Sequence, residues 1–447
     1  MLITLTAPAF AETWYIENGD ITVKASGTEG KNTVSQGNKK DVEDTNTIIT
    51  NQNQDKASSH TVTIDANDKN DKVEVTLKDV NIDTSSRNKA AVSVTGSGNT
   101  TIKLDGDNAL KSDTYRSGIY GSGSLTISGG TVTANGDDGG HGIYSRGSIT
   151  ISGGSTVTAN GRSGTISGGD GITSSGSLTI SGGTVNATGR DGKDGDGGNG
   201  IWSGGVTISG GKVKAAGGDS KDGYGGNGII GSGRVAISGG TVNAAGGDGG
   251  NGKDGGYGII SNDIDLSGSL ELTAKAGSPN GKALSQRGNE LDLDTINKDK
   301  LDPGAKVTAI NANGDSKQVS IPRPVEPEKP VIPEESSSSS DGGSSAPSAP
   351  VSSLPGLTVT DKSGAVISYT STQSGNTLTV CVGRFAASLR ASLSTLRQLR
   401  AEGIETITFQ TILCSTTLSV DELLAMGGED AEAVLTHRST DSSLTVG

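Results

Sequence analysis

Three observations predict that this chain is all-β and folds as a right-handed parallel β-helix, a solenoid of about eight or more coils. A Gly-Ile pair recurs in steps of 24, 29, 29, 28 and 30 residues, opening at Gly118, Gly142, Gly171, Gly200, Gly228 and Gly258. A fixed period of this length is typical of stacked supersecondary units. Apolar residues also keep the same register from repeat to repeat, and paired glycines separate the strands.

Strand alternation indicates which side chains point inward. In residues 124–128, Leu125 and Ile127 share one face and polar residues share the other. Later repeats place apolar residues at the same positions: Ile149 and Ile151, Leu178 and Ile180, Val206 and Ile208, Val235 and Ile237. A second ladder comprises Val132, Val157, Val185, Val213 and Val242, each followed two residues later by alanine. Strands stacked ~4.8 Å apart would join these residues into continuous columns, and parallel crossovers are right-handed by default.

Composition excludes several classes of protein. The chain has 447 residues, of which 71 are glycine, with 3% aromatic and 30% hydrophobic residues. An ordinary globule of this composition buries too little apolar surface, whereas a disordered chain does not keep ladders in register. A net charge of −13 argues against nucleic acid or an anionic membrane as the main partner. No apolar stretch reaches the ~20 residues of a membrane span.

The N-terminal part divides into three segments. Residues 1–11 are predicted to be the remnant of a secretory signal peptide, because the small-x-small pattern Ala9-Phe10-Ala11 follows an apolar stretch; a short N-terminal strand is the alternative. Residues 12–59 are predicted to be a β-rich cap over the first coil. Residues 60–321 are predicted to form the parallel β-helix. An extra Thr-Ile-Ser-Gly-Gly around Ile166 lengthens the loop at residues 161–170.

The C-terminal part changes character. Residues 322–355 are rich in Pro and Ser and predict a disordered linker. Residues 356–447 predict a small α+β domain, with an amphipathic helix from about Phe385 to Glu402, a strand over residues 406–413, and a capping box at Ser419. Cys381 and Cys414 fall on neighbouring predicted strands. They either pair, as in secreted proteins, or remain two half-buried thiols.

An outward ladder beside the Gly-Ile strand provides the first candidate site. It comprises Tyr120, Tyr144, Thr173, Trp202, Ile230 and Ile260. The aromatic members, Tyr120, Tyr144 and Trp202, predict a platform for the apolar face of a sugar ring. The alternative is a strand-face ladder that packs under a loop or stabilises the stack.

The acidic loops provide the second candidate site. Asp191, Asp219 and Asp248 recur 28 and 29 residues apart, and Asp194 and Asp222 recur 28 residues apart. Stacked carboxylates repel one another, and Ca²⁺ with its oxygen ligands would relieve the repulsion. The loops match neither calcium-loop template, so solvated turn residues are the alternative. No other cofactor is expected.

A resemblance to a known family extends from Thr61 to about Ala276, roughly half of the chain. It is carried by residues 73–83, residues 101–110 and the Gly-Ile repeats. This segment resembles the carbohydrate-binding β-helix domains of secreted bacterial surface proteins, which are similar to the wider pectate-lyase-like group. The resemblance implies glycan binding at a secreted or cell-surface, extracellular location. The three histidines are scattered, so we expect no enzyme. The alternatives are an adhesive surface stalk that binds proteins, and a polysaccharide lyase or hydrolase.

Overall fold

A computed structural model describes residues 12–28, 30–164 and 167–322. In the C-terminal part it describes residues 357–361, 365–367, 369–374, 376–382, 387–411, 415–427, 431–437 and 442–446. The predicted signal peptide, nearly all of the predicted linker, Ile166 and Cys414 lie outside the described residues. The chain divides into two compact units, within residues 1–328 and 329–447.

The first unit is a parallel β-helix of about 11 turns. Its strands are Thr13–Tyr15, Ile21–Ala25, Asn32–Gln36, Lys39–Asp44, Ile48–Thr50, Val62–Ala66, Lys72–Lys78, Asn81–Asp83, Val92–Gly96, Asn99–Thr114, Ile119–Gly121, Ser124–Asp137, Ile143–Ser145, Ile149–Ser152, Thr156–Asn160, Ile172–Ile180, Thr184–Thr188, Ile201–Ile208, Lys212–Ala216, Ile229–Ala245, Ile259–Lys275, Leu284–Gln286, Asn289–Glu290, Lys306–Ile310 and Ser316–Ser320. Short 3-10 helices occupy Ile16–Asn18, Leu293–Thr295 and Lys298–Lys300.

Parallel pairing arranges these strands on three faces. Face 1 carries the Gly-Ile strands, with Val92, Ile119, Ile143 and Ile172 directly in register. Face 2 carries the next strand of each coil, where Ile102, Ile127 and Ile151 are in register. Face 3 carries the third strand, where Val132, Val157 and Val185 are in register. The longest strands turn a corner and contribute to two faces.

The predicted inner columns form the core and confirm the fold class. Every predicted inward residue of these ladders, from Leu125 to Ala244, is at most 2% exposed. Asn108 interrupts the valine column one coil before Val132. Its amide donates to the carbonyl of Thr131 at 3.0 Å and accepts the Val80 N–H at 2.9 Å. The buried polar group is therefore satisfied by the coils on either side.

The glycine-rich loops are ordered backbone ladders. Gly226 donates to the Gly218 carbonyl, and Gly247 donates to the Gly226 carbonyl, both at 2.8 Å. A Cβ at Gly226 would overlap the carbonyl oxygen of Gly198 in the preceding coil. Glycine is required here because only a backbone without side chains approaches its neighbour so closely.

Antiparallel strands close both ends of the β-helix. At the N-terminal end, Asn32–Gln36 pairs with Ile21–Ala25 and with Lys39–Asp44. Trp14, which is 2% exposed, joins the core there and donates its indole N–H to Asp44 at 2.8 Å. At the other end, Ser316–Ser320 pairs antiparallel with Lys306–Ile310. These strands cover edges that would otherwise expose core and unpaired backbone.

In the described residues of the second unit there are two four-stranded sheets and two helices. One sheet contains Leu357–Thr360, Ala387–Ser392, Glu432–His437 and Ser442–Val446, and the other contains Thr370–Ser374, Thr377–Cys381, Thr406–Gln410 and Ser415–Ser419. The helices are Leu393–Ala401 and Val420–Met426. In the described part of the chain, no helix is long and apolar enough to cross a membrane.

The first of these helices starts later than the sequence predicts. Residues 387–392 are a strand in which Ala387, Leu389 and Ala391 are buried alternately. Ser392 caps the helix by accepting the Thr395 N–H at 3.2 Å, so a period of two gives way to a period of 3.6 at this residue. The predicted cap at Ser419 is confirmed, since its side chain accepts the Glu422 N–H.

Candidate binding cleft

The outward ladder of face 1 changes character along the solenoid. In the order of the register it comprises Thr22, Thr63, Ser93, Tyr120, Tyr144, Thr173, Trp202, Ile230, Ile260 and Ser285. Short hydroxyl side chains occupy the first three coils, and an aromatic ring first appears at Tyr120. The space above Ser93, one ladder spacing of ~4.8 Å from Tyr120, is therefore not filled by a large side chain.

Three rings stack beyond this step. The centroids of Tyr120 and Tyr144 lie 5.6 Å apart with 14° between the ring planes. His141 stacks on Tyr144, also at 5.6 Å and with 24° between the planes. The His141 ring lies near the Thr173 hydroxyl, at 3.5 Å, and so covers the Tyr144 face that is turned away from Tyr120. One face of Tyr120 is left uncovered by the stack, and it is turned towards Ser93.

A cleft of about 680 Å³ lies at the step between Ser93 and Tyr120. It is lined by Thr61, Thr63, Asn88, Lys89, Ala90, Ser93, Thr95, Tyr115, Arg116, Ser117, Tyr120, His141 and Tyr144. The volume falls within the range of small-molecule sites. Strands of face 1 supply the floor and the aromatic end wall, and the loops around residues 88–90 and 115–117 supply the side wall.

A hydrogen-bond network positions the stack. The Asp170 backbone N–H donates to His141 Nδ1 at 3.1 Å. In the neutral ring the proton therefore resides on Nε2, which makes that atom a donor. The Asp170 carboxylate accepts the Thr173 hydroxyl at 2.8 Å and the Asn199 side-chain amide at 2.9 Å. Thr173 is thus buried in this network and separates Tyr144 from Trp202.

The side wall of the cleft carries positive charge. Lys89 and Arg116 line it, and no Asp or Glu is among the lining residues. Next to the wall, Asp20 accepts two hydrogen bonds from Arg87, at 2.7 and 3.0 Å, and lies 3.4 Å from the Lys89 ammonium. Partial burial raises the pKa of Asp20, but the Arg87 hydrogen bonds, the Thr61 N–H and the charges of Arg87 and Lys89 together outweigh burial and hold this pKa well below its usual range. Arg116 donates from Nε to the Asn88 side chain at 3.0 Å.

The structure brings two of the three predicted platform residues together. Tyr120 and Tyr144 are adjacent in register, half-buried, and line the cleft. Trp202 is also half-buried, but it lies two coils beyond Tyr144, across Thr173, and does not line the cleft. The three residues do not form one continuous platform. Carbohydrate binding by them stays a prediction.

Sequence reasoning missed most of the cleft. The hydroxyl residues Thr63 and Ser93 carry no strong signal by themselves, and Lys89, Arg116 and His141 lie on loops between strands. One usable signal was present: extending the outward ladder to earlier coils shows Ser93 directly before Tyr120. A small residue beside an aromatic residue in a stacked ladder indicates a step in the surface.

Three of the five predicted calcium residues, Asp191, Asp219 and Asp248, form a hydrogen-bonded ladder. Asp191 accepts the Asp219 N–H at 3.0 Å, Asp219 accepts the Asp248 N–H at 2.7 Å, and Asp248 accepts the Ser278 N–H at 2.8 Å. Asp222 accepts the Asn251 side-chain amide at 2.7 Å, and Asp194 lies in the same loops. Within the ranges that the structure describes, no group of three or more His, Cys, Asp or Glu is placed to hold a metal ion. Calcium binding stays a prediction that this geometry does not support.

The cysteine pairing also stays a prediction. Cys381 is half-buried at the end of its strand, and its thiol lies 3.4 Å from the Gln410 side-chain oxygen. Cys414 lies outside the described residues.

Comparison with known proteins agrees with the architecture. No curated protein and no solved structure matches the chain. A family model described as a beta helix repeat matches residues 125–143, 178–201 and 206–229. All three segments lie in the coils whose inner columns are described above. Over these coils, the chain is therefore similar to β-helix repeat proteins.

Proposed function

We propose that this protein is secreted or exposed on the cell surface and binds carbohydrate without catalysis in the cleft between Ser93 and Tyr120. The observation that carries the proposal is the stacked Tyr120 ring at the end of a cleft of about 680 Å³. An aromatic face offers a flat apolar surface on which the C–H face of a sugar ring packs, while the sugar hydroxyls stay available for hydrogen bonds at the ring edge. The resemblance stated above supports the same ligand class.

Polar groups around the ring suit a hydroxyl-rich ligand. Thr63 and Ser93 on the floor each supply a hydroxyl that both donates and accepts. Lys89 and Arg116 on the side wall supply donors to hydroxyl or acidic oxygens of a sugar. A mostly apolar end wall with a few polar groups is the usual composition of a small-molecule site.

The cleft supports binding without turnover. Glycoside hydrolysis generally uses two carboxyl groups, one of which has a raised pKa so that it acts as an acid. None of the lining residues is Asp or Glu. The neighbouring carboxyl of Asp20 is ion-paired, and its pKa is lowered rather than raised. The cleft lining therefore offers no carboxyl group to protonate a glycosidic oxygen.

A glycan-array screen of the full chain, followed by calorimetric titration of the best ligand, tests the proposal. Tyr120→Ser should weaken the affinity for that ligand about thirty-fold, which is equivalent to ~2 kcal/mol for a stacking residue at a binding centre. Tyr224→Ser is the matched control, since Tyr224 is 49% exposed on a glycine-rich loop, and it should bind as the unchanged protein does.

Three outcomes would overturn the proposal. Full affinity in Tyr120→Ser would place carbohydrate elsewhere on the molecule. Absence of any glycan binding would favour the adhesive stalk. Release of shortened products from the bound glycan would favour a lyase or hydrolase.

A further inference from the structure

We propose a second binding site, on face 3, that takes an oxyanion of the phosphate or sulfate type. It is a cleft of about 360 Å³ at the corner where the strands of face 3 end. Its lining residues are Lys111, Asn135, Gly136, Asn160, Gly161, Arg162, Ser163 and Arg190. None of them lines the cleft at Tyr120, so this site is independent of the proposed carbohydrate site.

The register of face 3 assembles the cleft. Lys111, Asn135 and Asn160 are equivalent residues of three consecutive coils. Arg162 follows Asn160 by two residues, and Arg190 occupies the same position one coil later, two residues after Thr188. Stacking of coils therefore gathers three cationic side chains at one corner, although they are up to 79 residues apart in the sequence.

The cations of the cleft are only partly compensated. Lys111 pairs with Asp83 at 2.9 Å, and Arg162 pairs through Nε with Asp137 at 3.2 Å. The Arg190 side chain makes no hydrogen bond or ion pair with any residue that the structure describes. No carboxylate lines the cleft, in a chain whose net charge is −13.

Neutral donors add to these charges. Asn160 donates its side-chain amide to the Asn135 side-chain oxygen at 2.9 Å. This bond fixes the orientation of the Asn135 amide and leaves its own N–H₂ as a donor. The hydroxyl of Ser163 lies on the same lining. Two arginine forks beside amide and hydroxyl donors are the groups that bind tetrahedral oxyanions best.

The absence of aromatic residues from the lining distinguishes this site from the cleft at Tyr120. The lining offers no aromatic surface on which a sugar ring could pack. An oxyanion, by contrast, would gain several charge-assisted hydrogen bonds from the arginine and lysine side chains. Free phosphate, free sulfate, and a phosphate or sulfate ester on a larger molecule share this chemistry.

Calorimetric titration of the full chain with inorganic phosphate and with inorganic sulfate tests the proposal, with sodium chloride at matched ionic strength as the reference. Saturable binding of either anion is expected. Arg162→Gln combined with Arg190→Gln should weaken it at least tenfold. Lys24→Gln combined with Lys275→Gln removes the same charge at exposed positions away from the cleft and should leave the affinity unchanged.

Two further measurements sharpen the result. Arg190→Lys retains the charge without the planar fork, and it should give an intermediate affinity. A sugar phosphate that binds more tightly than inorganic phosphate would identify an ester as the ligand, and equal affinity would identify the free anion. Failure of both anions to bind, or equal losses in the arginine and lysine pairs, would overturn the proposal. Phosphate affinity should survive Tyr120→Ser, so failure here is distinguishable from failure of the carbohydrate proposal.

Discussion

The two halves of face 1 share their inner side and differ on their outer side. Inward, Val92 and Ile119 in the early coils are as completely buried as Ile229 and Ile259 in the late coils. Outward, the early coils change from hydroxyl residues to stacked tyrosines, whereas the late coils carry a continuous run of bulky residues, Trp202, Ile230 and Ile260.

This difference separates what maintains the fold from what shapes a site. The inner column of face 1 is sensitive to change because each residue packs between apolar neighbours above and below. The outer ladder tolerates variation, since its side chains face solvent or loops. A cleft arises where consecutive outer residues differ in size. Substitutions on the inner and outer sides should therefore have different consequences.

The largest effect is expected on the inner side. Ile180→Asp places an unpaired carboxylate in a fully buried column and should destabilise the fold by several kcal/mol. Thr179→Asp changes the neighbouring, half-buried outward residue and should cost far less. Denaturant unfolding of both variants measures the contrast. Equal stability of the two would contradict the assigned register.

A smaller effect is expected in the glycine-rich loops. Gly226→Ala forces a methyl group against the Gly198 carbonyl and should cost about 1–3 kcal/mol, as other overpacking substitutions do. Gly182→Ala is the matched control, because a Cβ there meets nothing within 4 Å and the backbone does not require glycine. Thermal unfolding should show a loss for Gly226→Ala alone; similar melting of both variants would mean that the loops are not close-packed.

On the outer side, substitution of Tyr120 should weaken glycan binding much more than substitution of Trp202. Trp202 lies outside the cleft. Trp202→Ala should therefore weaken the affinity for the best glycan less than about threefold, compared with about thirty-fold for Tyr120→Ser. Calorimetric titration measures both, and the melting temperature shows whether either variant is unfolded. A larger loss for Trp202→Ala would restore the three-residue platform as the binding site.

The stability of the folded protein should depend modestly on pH through Asp20, which lies next to the side wall of the cleft. The pKa of this carboxyl is lowered in the folded state, so its ion pairs stabilise the protein above the unfolded pKa of about 3.9. That contribution is lost as the pH falls through the folded pKa. Because Asp20 is partly exposed, Asp20→Asn should cost no more than about 1 kcal/mol at pH 7. The difference from the unchanged protein should shrink as the pH falls below 4; a constant difference would assign the effect to packing.

The smallest effect is expected from calcium removal. The loop carboxylates accept N–H groups from the next coil, so chelation should leave the melting temperature unchanged within error. Unfolding in EDTA and in added calcium measures this. A melting temperature that rises with calcium, as mass action requires of a ligand of the folded state, would confirm the calcium prediction instead.

Much of the β-helix was predictable from the sequence alone. The repeat period and the alternation around Ile127, Ile151 and Ile180 are local patterns, and burial of one strand face determines which residues point inward. The pairing of Tyr120 with Tyr144 followed from the same register. The start of the helix at Leu393 did not, because Leu389 suits an apolar helix face and a buried strand equally well.

The cleft itself was decided by the tertiary structure. The cleft exists because a short side chain, Ser93, stacks next to an aromatic ring, Tyr120. It also depends on the positions of loops, such as the one that carries His141, and no strand pattern specifies these positions. The carboxylates of Asp191 and Asp219 likewise appear repulsive in sequence, yet each accepts an N–H of the following coil. Strand periodicity determines the coils one by one, whereas contacts between coils exist only once the coils are stacked.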